Sequence, residues 1–399
     1  MDAPASAATQ IPTAPDWTSV CAIARSHAVA VDEAGRFPVE AAAALRASGA
    51  LTMALPRDLG GRDMGFATLA RMACELGAAC ASTAMAFAMH HNQLACLIRH
   101  AGEGAWLRDF QRRIADEGLL LASATSEEGI GGRLRTSRCA VTPLAGDRFA
   151  LEKAASAVSY GAEADAYLVT ARRAPDADAG DQVLVVLPRD QVRLEAKGGW
   201  DALGLRGTAS GAFHIAGEGE AGQILPVPFG VIATETMVPT SHILWGAVWL
   251  GIAMDVVARC RAFLRHRMRT NPDAARVGLP LLAQMTGLVT DMDTCLRRAI
   301  ALYEAGHAAR EALDIILLKT SLSEMALRVA TTGMRVCGLS GYRNDTPYSL
   351  GRHLRDLTAA PLMINNDAIL GDAGRLLLAT RLTVGQFDAA HEAGEEIAQ

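Results

Sequence analysis

The apolar residues in the first third of the chain recur at helical spacing. Between residues 17 and 118, apolar positions return every three or four residues among Ala, Leu, Met and Arg, which predicts amphipathic helices. The segment LPRDLGG at residues 55–61 breaks the pattern and predicts a loop, because Pro and Gly interrupt helices. Residues 75–91, rich in Ala and other small side chains, predict a further helix.

The periodicity changes after residue 118. Short runs of β-prone residues follow one another, with Gly, Pro and Asp between them. Short strands at this spacing are typical of a compact sheet or barrel. The clearest runs are residues 140–142, 166–170 and 183–187, and the PVPFG segment at residues 226–230 ends the block.

Helical spacing returns at residue 231 and continues in four or five long segments, with breaks at residues 270–278 and 338–345. Helices, then strands, then helices predict a mainly α protein with a central β-domain, and not alternating βαβ units. We therefore expect a disordered tail at residues 1–16, a helical domain at 17–118, a β-barrel domain at 119–225 and a helical bundle at 226–399.

Composition restricts the possible partners and location of the chain. Of its 399 residues, 50% are hydrophobic, which allows a large core, and the net charge of −5 argues against a nucleic-acid surface. The eight cysteines form no CxxC or zinc pattern, so we expect free thiols in a reducing, cytoplasmic compartment and no metal site. The N-terminus lacks the features of a secretory signal, and the longest apolar run, residues 243–254, is too short to span a bilayer.

The most informative segment is residues 337–370, CGLSGYRNDTPYSLGRHLRDLTAAPLMINNDAIL. A glycine turn with Gly338 precedes an Arg-Asp pair and an amide-rich turn before a helix. This layout resembles the C-terminal signature of the acyl-CoA dehydrogenases, whose last turn carries the glutamate that removes the substrate α-proton. Here the place of that glutamate falls on Ile364 or Asn365, and neither side chain accepts a proton.

Residues 124–132, ATSEEGIGG, predict either an ordinary glycine turn or a ligand contact, because glycines let a ligand approach the backbone and hydroxyls bind its edge. The segment is similar to the family's Thr-Glu-Pro-x-x-Gly-Ser-Asp motif, which holds the flavin pyrimidine ring. Ser126 falls on the family's Thr. The resemblance implies cofactor contacts from Thr125, Ser126 and Gly131.

Residues 155–169, ASAVSYGAEADAYLV, are similar to the family's Lys-x-Trp-x-Ser/Thr-x-Gly strand. By this resemblance, Ser159 is the hydroxyl expected near flavin N5. Ala157 replaces the tryptophan that covers the flavin ring, which leaves space for O2, a bulkier substrate or another side chain. Without the resemblance, the segment predicts a plain strand with turn residues.

Residues 200–210, WDALGLRGTAS, match the family's Gly-x-Arg-Gly-Thr-x-Ser motif. The resemblance implies a mainly structural role for Arg206 near the cofactor and the domain interface, although an Arg among glycines is also typical of a solvated loop. Arg335 replaces the Gln of the family's glycine turn, and RMRTN at residues 267–271 replaces its Arg-x-x-Phe-Gly. Both changes leave arginines that can bind a diphosphate. We therefore expect FAD, which contains a diphosphate, in preference to FMN. No GxGxxG motif supports a Rossmann site.

Two residues are alternatives to the missing glutamate. Some family members keep the base on the long helix where His242 lies, and imidazole titrates near neutrality, although a packed histidine is the simpler interpretation. Thr240 or Ser241 is expected to cap that helix. Asp367 is the carboxylate of the last turn.

The simpler interpretation of Asp367 is that it caps a helix that begins at Ala368. Asn365 and Asn366 have amide groups able to donate to flavin or to a thioester carbonyl. His90, on the predicted helix of small residues, matches a histidine of oxygenase relatives and is as readily a buried, satisfied side chain.

Together the motifs identify the chain as a member of the acyl-CoA dehydrogenase superfamily. The resemblance implies a flavin oxidoreductase that forms a homotetramer or homodimer and acts on a CoA or carrier-bound thioester. The missing glutamate favours an O2-using enzyme. The alternatives are a dehydrogenase with its base at His242 or Asp367, served by an electron-transfer partner, and a flavin-binding subunit without turnover.

Overall fold

The computed structural model describes residues 16–130, 134–307 and 312–378. Its N-terminal part is helical, with Asp16 capping the first helix through a bond from the Ser19 amide. Most buried side chains of this part belong to a hydrophobic core that also includes side chains of the β-domain and of the C-terminal helices. The helices are α1 (Trp17–Ala34), α2 (Val39–Ala47), α3 (Phe66–Ala79), α4 (Ala81–His100) and α5 (Ala105–Glu117).

The central part is a β-domain that consists of two sheets. One sheet has the order β1-β4-β5, with β1 parallel to β4, and the other has the order β2-β3-β7-β6 with antiparallel pairs. Buried residues of both sheets belong to one core cluster. The strands are β1 (Leu121–Ala124), β2 (Thr142–Pro143), β3 (Arg148–Ala155), β4 (Ala166–Arg172), β5 (Gln182–Pro188), β6 (Val192–Gly198) and β7 (Ala212–Glu220).

The C-terminal part is a helical bundle built around one long helix. Helix α7 packs on α3, α9 and α10, and α10 packs in turn on α12 and α13. The fold class predicted from the sequence is confirmed. The helices are α6 (Phe229–Ile232), α7 (Val238–Thr270), α8 (Pro272–Arg276), α9 (Leu279–Glu304), α10 (Ala312–Cys337), α11 (Leu339–Tyr342), α12 (Gly351–Thr358) and α13 (Asn366–Leu377).

Glycines allow α3 and α7 to pack backbone to backbone. A Cβ at Gly251 would lie 1.9 Å from the carbonyl oxygen of Cys74, and one at Gly77 would lie 2.4 Å from that of Val248. No side chain fits in either place. This crossing joins the N-terminal helices to the bundle, and the site residues of α4 and α7 depend on it for their relative position.

The helix start expected at Thr240 or Ser241 is wrong. A π-helical turn, Ala233–Met237, leads into α7 without a break, so the amides near residue 240 already have helical partners. The Thr240 hydroxyl instead donates to Asn92 Oδ1 (2.6 Å), and the Ser241 hydroxyl lies 2.9 Å from the Val238 carbonyl. The Thr240 bond joins α7 to α4, and the Ser241 bond lies within α7.

By length and composition alone, the continuous helical segment Phe229–Thr270 passes as a candidate membrane span. However, 72% of its most apolar window is buried inside the fold. The core helix of a soluble protein gives the same signal. We therefore interpret α7 as the central helix of the bundle.

Candidate functional site

Two of the segments predicted to contact a cofactor meet on the β-domain. Beyond the end of β1 at Ala124, the Ser126 hydroxyl donates to the Ala157 carbonyl (2.6 Å) and accepts from the Ala157 amide (3.0 Å). Thr125 Oγ1 lies 3.3 Å from Ser123 Oγ. The Ala157 methyl is exposed, so no bulky side chain covers this position. Gly131, the third expected contact of this loop, lies outside the described residues.

A buried ion pair next to Ser126 in the sequence anchors the loop that contains this serine. The Glu127 carboxylate accepts from Ser137 Oγ (2.7 Å), from the Cys139 amide (2.8 Å) and from Lys153 Nζ (3.3 Å). Lys153 also donates to the Thr170 carbonyl at 2.8 Å. Burial would raise the pKa of Glu127, but the ammonium and the hydrogen bonds outweigh it and lower that pKa. The loop is therefore held by a charged cluster.

Ser159 is the outer end of a chain of hydroxyl groups. Its Oγ lies 2.9 Å from Ser210 Oγ, which lies 2.8 Å from Thr208 Oγ1. The Thr208 hydroxyl donates to the Leu205 carbonyl at 2.9 Å. Ser210 and Thr208 are buried, and Ser159 is half-buried. The chain connects the predicted flavin-facing serine to the glycine-rich segment at residues 204–210.

Arg206 lies at the junction of the β-domain with α1. Its Nε donates to the Asp32 carbonyl (2.8 Å), and its Nη1 donates to the Ala202 carbonyl (3.0 Å). Through these bonds the Arg206 guanidinium joins α1 to the β-domain. The interface role expected for Arg206 fits this position, whereas its predicted contact with the cofactor stays a prediction.

The Arg-Asp pair of the C-terminal signature completes the same junction. Arg355 forms a bidentate salt bridge with the Asp32 carboxylate. The Leu205 amide donates to Asp356 Oδ1 at 2.7 Å. A Cβ at Gly204 would lie 2.0 Å from the Arg355 carbonyl oxygen. Burial raises the pKa of Asp356 to about 6. Two sequence motifs a long way apart therefore form one structural contact.

The turn that should carry the glutamate is held by a buried lysine. Lys319, on α10, is 0% exposed and donates to the Ile364 carbonyl (2.9 Å) and to Asn366 Oδ1 (2.7 Å). Its Nζ lies 6.0 Å from the centre of the Trp249 ring. Burial lowers the pKa of Lys319 to about 8. Ile364 has φ of 45°, an unfavourable conformation for a β-branched residue.

The amides of this turn have different surroundings. Asn366 is buried, and its Nδ2 donates to Ser323 Oγ and Glu324 Oε1, both at 3.0 Å, so its hydrogens are used within the fold. Asn365 is exposed. The expected cap at Asp367 is wrong, because α13 begins at Asn366 and Asn365 Oδ1 accepts from the Asp367 amide at 2.8 Å. The Asp367 side chain is exposed.

His242 lies inside the bundle. Its Nδ1 is 3.2 Å from the Ile315 carbonyl oxygen. Because a carbonyl only accepts, Nδ1 carries the hydrogen and Nε2 the lone pair. Burial lowers the pKa of His242 to about 4, and the nearby Lys319 ammonium adds to this effect. The imidazole is therefore neutral at physiological pH and weakly basic.

His90 is a satisfied buried side chain. Its Nδ1 accepts from the Leu121 amide (3.0 Å), and its Nε2 donates to the Leu51 carbonyl (2.7 Å). Burial lowers the pKa of His90 to about 4. The ring joins α4 to β1 and to the loop before α3, and both nitrogens are used in doing so.

The last expected cofactor contacts, Arg335 and Gly338, lie on the surface where α10 ends. Both are exposed, and Gly338 has φ of 54°, which favours glycine. Beside them, Leu339 is 71% exposed and Tyr342 is 73% exposed. The structure brings neither residue to Ser126 or Ser159 of the same chain. Among the described residues, no group of His, Cys, Asp or Glu is arranged to hold a metal ion.

Sequence reasoning missed the two buried lysines, Lys153 and Lys319. Each was visible as a lone cation in an apolar run, FALEKAA and IILLKTSL. A lysine on the inward side of a strand or helix is rarely buried without a partner. That rule would have marked both positions, but the partners, Glu127 and the Ile364 turn, are distant in sequence.

Comparison with known proteins agrees with this fold. The family model for the acyl-CoA dehydrogenase N-terminal domain matches residues 20–117, and the model for the C-terminal domain matches residues 230–364. Together they cover more than half of the chain, which therefore belongs to the acyl-CoA dehydrogenase family.

The most similar relatives include both dehydrogenases and monooxygenases. Cyclohex-1-ene-1-carbonyl-CoA dehydrogenase of Geobacter metallireducens is 26% identical over 83% of this chain and 87% of its own length. Dibenzothiophene monooxygenase of Rhodococcus qingshengii is 24% identical over 73% of this chain and 70% of its own. The crystal structure of FMN-bound TdsC from Paenibacillus sp. A11-2 has a TM-score of 0.78 at 21% identity, covering 93% of this chain and 98% of that one.

These relationships place the chain among the flavin-dependent oxidoreductases. The groups on the β-domain fit a flavin, since Thr125, Ser126 and Ser159 offer neutral hydroxyl and backbone groups at an accessible face beside the exposed Ala157. The expectation of FAD, with FMN as the lesser option, is consistent with the family. Ile364 and Asn365, the two positions on which the family's glutamate was expected to fall, lie in one turn, and this assignment stays a prediction.

Proposed function

We propose that the protein is an FAD-dependent, O2-using oxidoreductase acting on a CoA or carrier thioester or a related small molecule. The observation that carries the proposal is the turn at Ile364. The Lys319 ammonium binds the Ile364 backbone carbonyl, and neither Ile364 nor Asn365, the two positions where we expect the family's base, has a side chain that accepts a proton. Without a positioned base, α-proton removal loses about 10²–10⁴ in rate. The 24% identity to a dibenzothiophene monooxygenase supports oxygen-using chemistry as well.

Flavin supplies two-electron transfer and reaction with O2. In our proposal, Ser126 and the backbone at Thr125 hold its pyrimidine edge, and Ser159 faces N5. Ala157 leaves the adjacent space open for O2 or a bulky substrate. Asn365, the exposed amide of the turn, orients the substrate carbonyl.

A second copy of the chain completes the cofactor site in this proposal. Arg335 and Gly338 lie at an exposed surface with Leu339 and Tyr342, and large exposed apolar side chains are typical of interfaces. The Arg335 guanidinium is suited to the diphosphate of FAD from a neighbouring subunit. This arrangement requires a homodimer or homotetramer, which we place in the cytoplasm.

Dehydrogenation is the second candidate, favoured by the 26% identity to a cyclohexenecarbonyl-CoA dehydrogenase. It requires a base other than the residue at position 364. The Nε2 atom of His242 carries the lone pair, but the pKa of about 4 makes this imidazole a weak base. The Asp367 side chain is exposed. The turn fixes its backbone amide through the bond to Asn365, but it does not fix the carboxylate that would act as the base.

The two candidates differ in how the flavin is reduced. Purified protein with its bound flavin is mixed anaerobically with a series of acyl-CoAs, and the flavin absorbance is followed. If the oxygenase proposal is right, acyl-CoA leaves the flavin oxidised, a flavin reductase with NADH reduces it, and ¹⁸O2 labels the product. Bleaching by acyl-CoA alone would support the dehydrogenase, and the absence of bound flavin would refute both.

A further inference from the structure

Two buried thiols meet where α10 ends beside the central helix of the bundle. Cys337 is the last residue of α10, and Cys260 lies on α7, 77 residues earlier in the chain. Their sulfur atoms are 3.6 Å apart, and both thiols are free. Cys337 is 2% exposed and Cys260 is 0% exposed. A disulfide bond is ~2.05 Å long, so the sulfurs need to approach by about 1.5 Å, which small side-chain rotations supply.

Glycines bring the backbone of both segments close to this pair. A Cβ at Gly333 on α10 would lie 3.2 Å from Cys260 Sγ, and one at Gly341 would lie 2.7 Å from Cys337 Cβ. A larger side chain at either position would push the two segments apart. Cys260 Sγ also lies 3.7 Å from the Gly333 carbonyl oxygen, to which it can donate. The two sulfurs are therefore held in contact by closely packed backbone.

The surroundings favour Cys337 as the first thiol to lose its proton. Its sulfur can accept a hydrogen bond from the Cys260 thiol, and this bond lowers the pKa of Cys337, as does the Arg259 guanidinium, against the effect of burial. The same contact, together with burial, raises the pKa of Cys260. The thiolate is the nucleophile in thiol oxidation, and a second thiol nearby then completes a disulfide. Cys337 is thus suited to react first, and Cys260 to react with the product.

The end of α10 gives a small oxidant a route to Cys337. The next two residues, Gly338 and Leu339, are exposed. Helix ends open locally at a lower free-energy cost than helix interiors. Opening of the last turn of α10 therefore admits an oxidant to Cys337, whereas Cys260 lies within the length of α7.

We propose that Cys260 and Cys337 are a peroxide-oxidisable pair that forms an intrachain disulfide between α7 and the end of α10. The Cys337 thiolate attacks one oxygen of hydrogen peroxide and the O–O bond breaks. The products are a sulfenic acid and a hydroxide, and the hydroxide takes up the proton that Cys337 lost. The Cys260 sulfur then attacks the Cys337 sulfur, the S–O bond breaks, and the hydroxyl leaves as water with the Cys260 proton.

This reaction is balanced by the two thiols and the peroxide alone. The thiols lose two hydrogens and two electrons, and hydrogen peroxide is reduced to two molecules of water. No flavin takes part, so the proposal stands or fails independently of the proposed function. Disulfides of reducing compartments are usually transient and redox-sensing, and we expect this one to be reversed by thiol reductants.

Mass spectrometry of the purified protein, treated as isolated with hydrogen peroxide, tests the proposal. After catalase has removed the peroxide, the protein is unfolded in urea with N-ethylmaleimide to block the remaining thiols and is digested with trypsin without reductant. We expect a linked pair of peptides, residues 260–261 with residues 336–343, which are the tryptic fragments that contain the two cysteines. Dithiothreitol added to the oxidised protein before the blocking step should abolish the linked pair.

Variants test the order of the two steps. In Cys260→Ala the sulfenic acid at Cys337 has no partner, so dimedone should label Cys337 after peroxide treatment. In Cys337→Ala the first nucleophile is absent, so Cys260 should remain a thiol and react with N-ethylmaleimide. Cys295→Ala removes a half-buried thiol on α9 and is the control, in which the linked peptides should form as in the unmodified protein.

Three results would overturn the inference. In the unmodified protein, these are both cysteines recovered with N-ethylmaleimide after peroxide treatment, either of them recovered as a sulfinic acid in place of the linked pair, or either of them joined to a different cysteine. Because each is measured on the unmodified protein, the test does not depend on the folding of any variant.

Discussion

The contact between Gly204 and the Arg355–Asp356 backbone should tolerate no side chain. In Gly204→Ala, the new Cβ would lie 2.0 Å from the Arg355 carbonyl oxygen and 2.6 Å from the Asp356 amide nitrogen. Neither is the end of a flexible side chain, so the two segments must separate. Overpacking of this kind costs about 1–3 kcal/mol. Separation also weakens the 2.7 Å bond from the Leu205 amide to Asp356, and a bond to a charged group contributes about 1.5–3 kcal/mol.

We therefore expect Gly204→Ala to lose about 3–5 kcal/mol of unfolding free energy. Urea unfolding followed by tryptophan fluorescence is a suitable assay, because Trp200 donates to the Leu205 carbonyl beside the contact. Gly198→Ala is the matched control, since a Cβ there meets no atom within 4 Å. Equal midpoints for the two variants would refute the reasoning that this junction holds the β-domain on the bundle.

Three further results are expected. Ile364→Glu puts a carboxylate at one of the two positions expected for the family's glutamate, so anaerobic dye reduction by acyl-CoA should accelerate at least ~10²-fold, and an unchanged rate would contradict the assignment of this position. His242 has a pKa of about 4, below the ~6.5 of an unfolded chain. The unfolded state therefore binds more protons between these values, and stability is lost as the pH falls from ~6.5 to ~4. His242→Gln should remove about 3 kcal/mol of that pH dependence in urea titrations at pH 7 and pH 4, and an unaltered slope would argue against it. Glu127→Gln leaves Lys153 buried without a counter-charge and should cost about 3–5 kcal/mol in thermal unfolding. Adding Lys153→Met should recover part of that loss, and no recovery would exclude the ion pair as the cause.

The fold was predictable because its signals are local. Apolar residues three or four apart mark helices such as α10, and short apolar runs between Gly and Pro mark strands such as β4 and β5. The same patterns gave the order of the three regions, and the family motifs agreed with it. The two predicted helix caps were wrong for local reasons. Thr240 follows a π-helical turn that continues into α7, so no helix begins there. At α13 the capping residue is Asn365 and not Asp367.

The supports of the site could not be read from the sequence, because their partners are far apart along the chain. Lys319 and Ile364 meet through the packing of α10 against the last turn. Gly204 and Arg355 meet only because the β-domain lies on the bundle. Local patterns identify a lone lysine or a glycine motif, but the contact that explains each one is created by tertiary structure.

The turn at Ile364 has a strained backbone conformation. A β-branched residue at φ of 45° is strained, by about 1–3 kcal/mol, and persists only where the surroundings impose it. Here they do, because Lys319 binds the Ile364 carbonyl and Asn366 ties the next residues to α10. Two buried polar side chains are therefore used to hold one strained turn. A role of this turn in bounding a ligand site would explain that arrangement, and the proposed oxygen-using chemistry requires such a site.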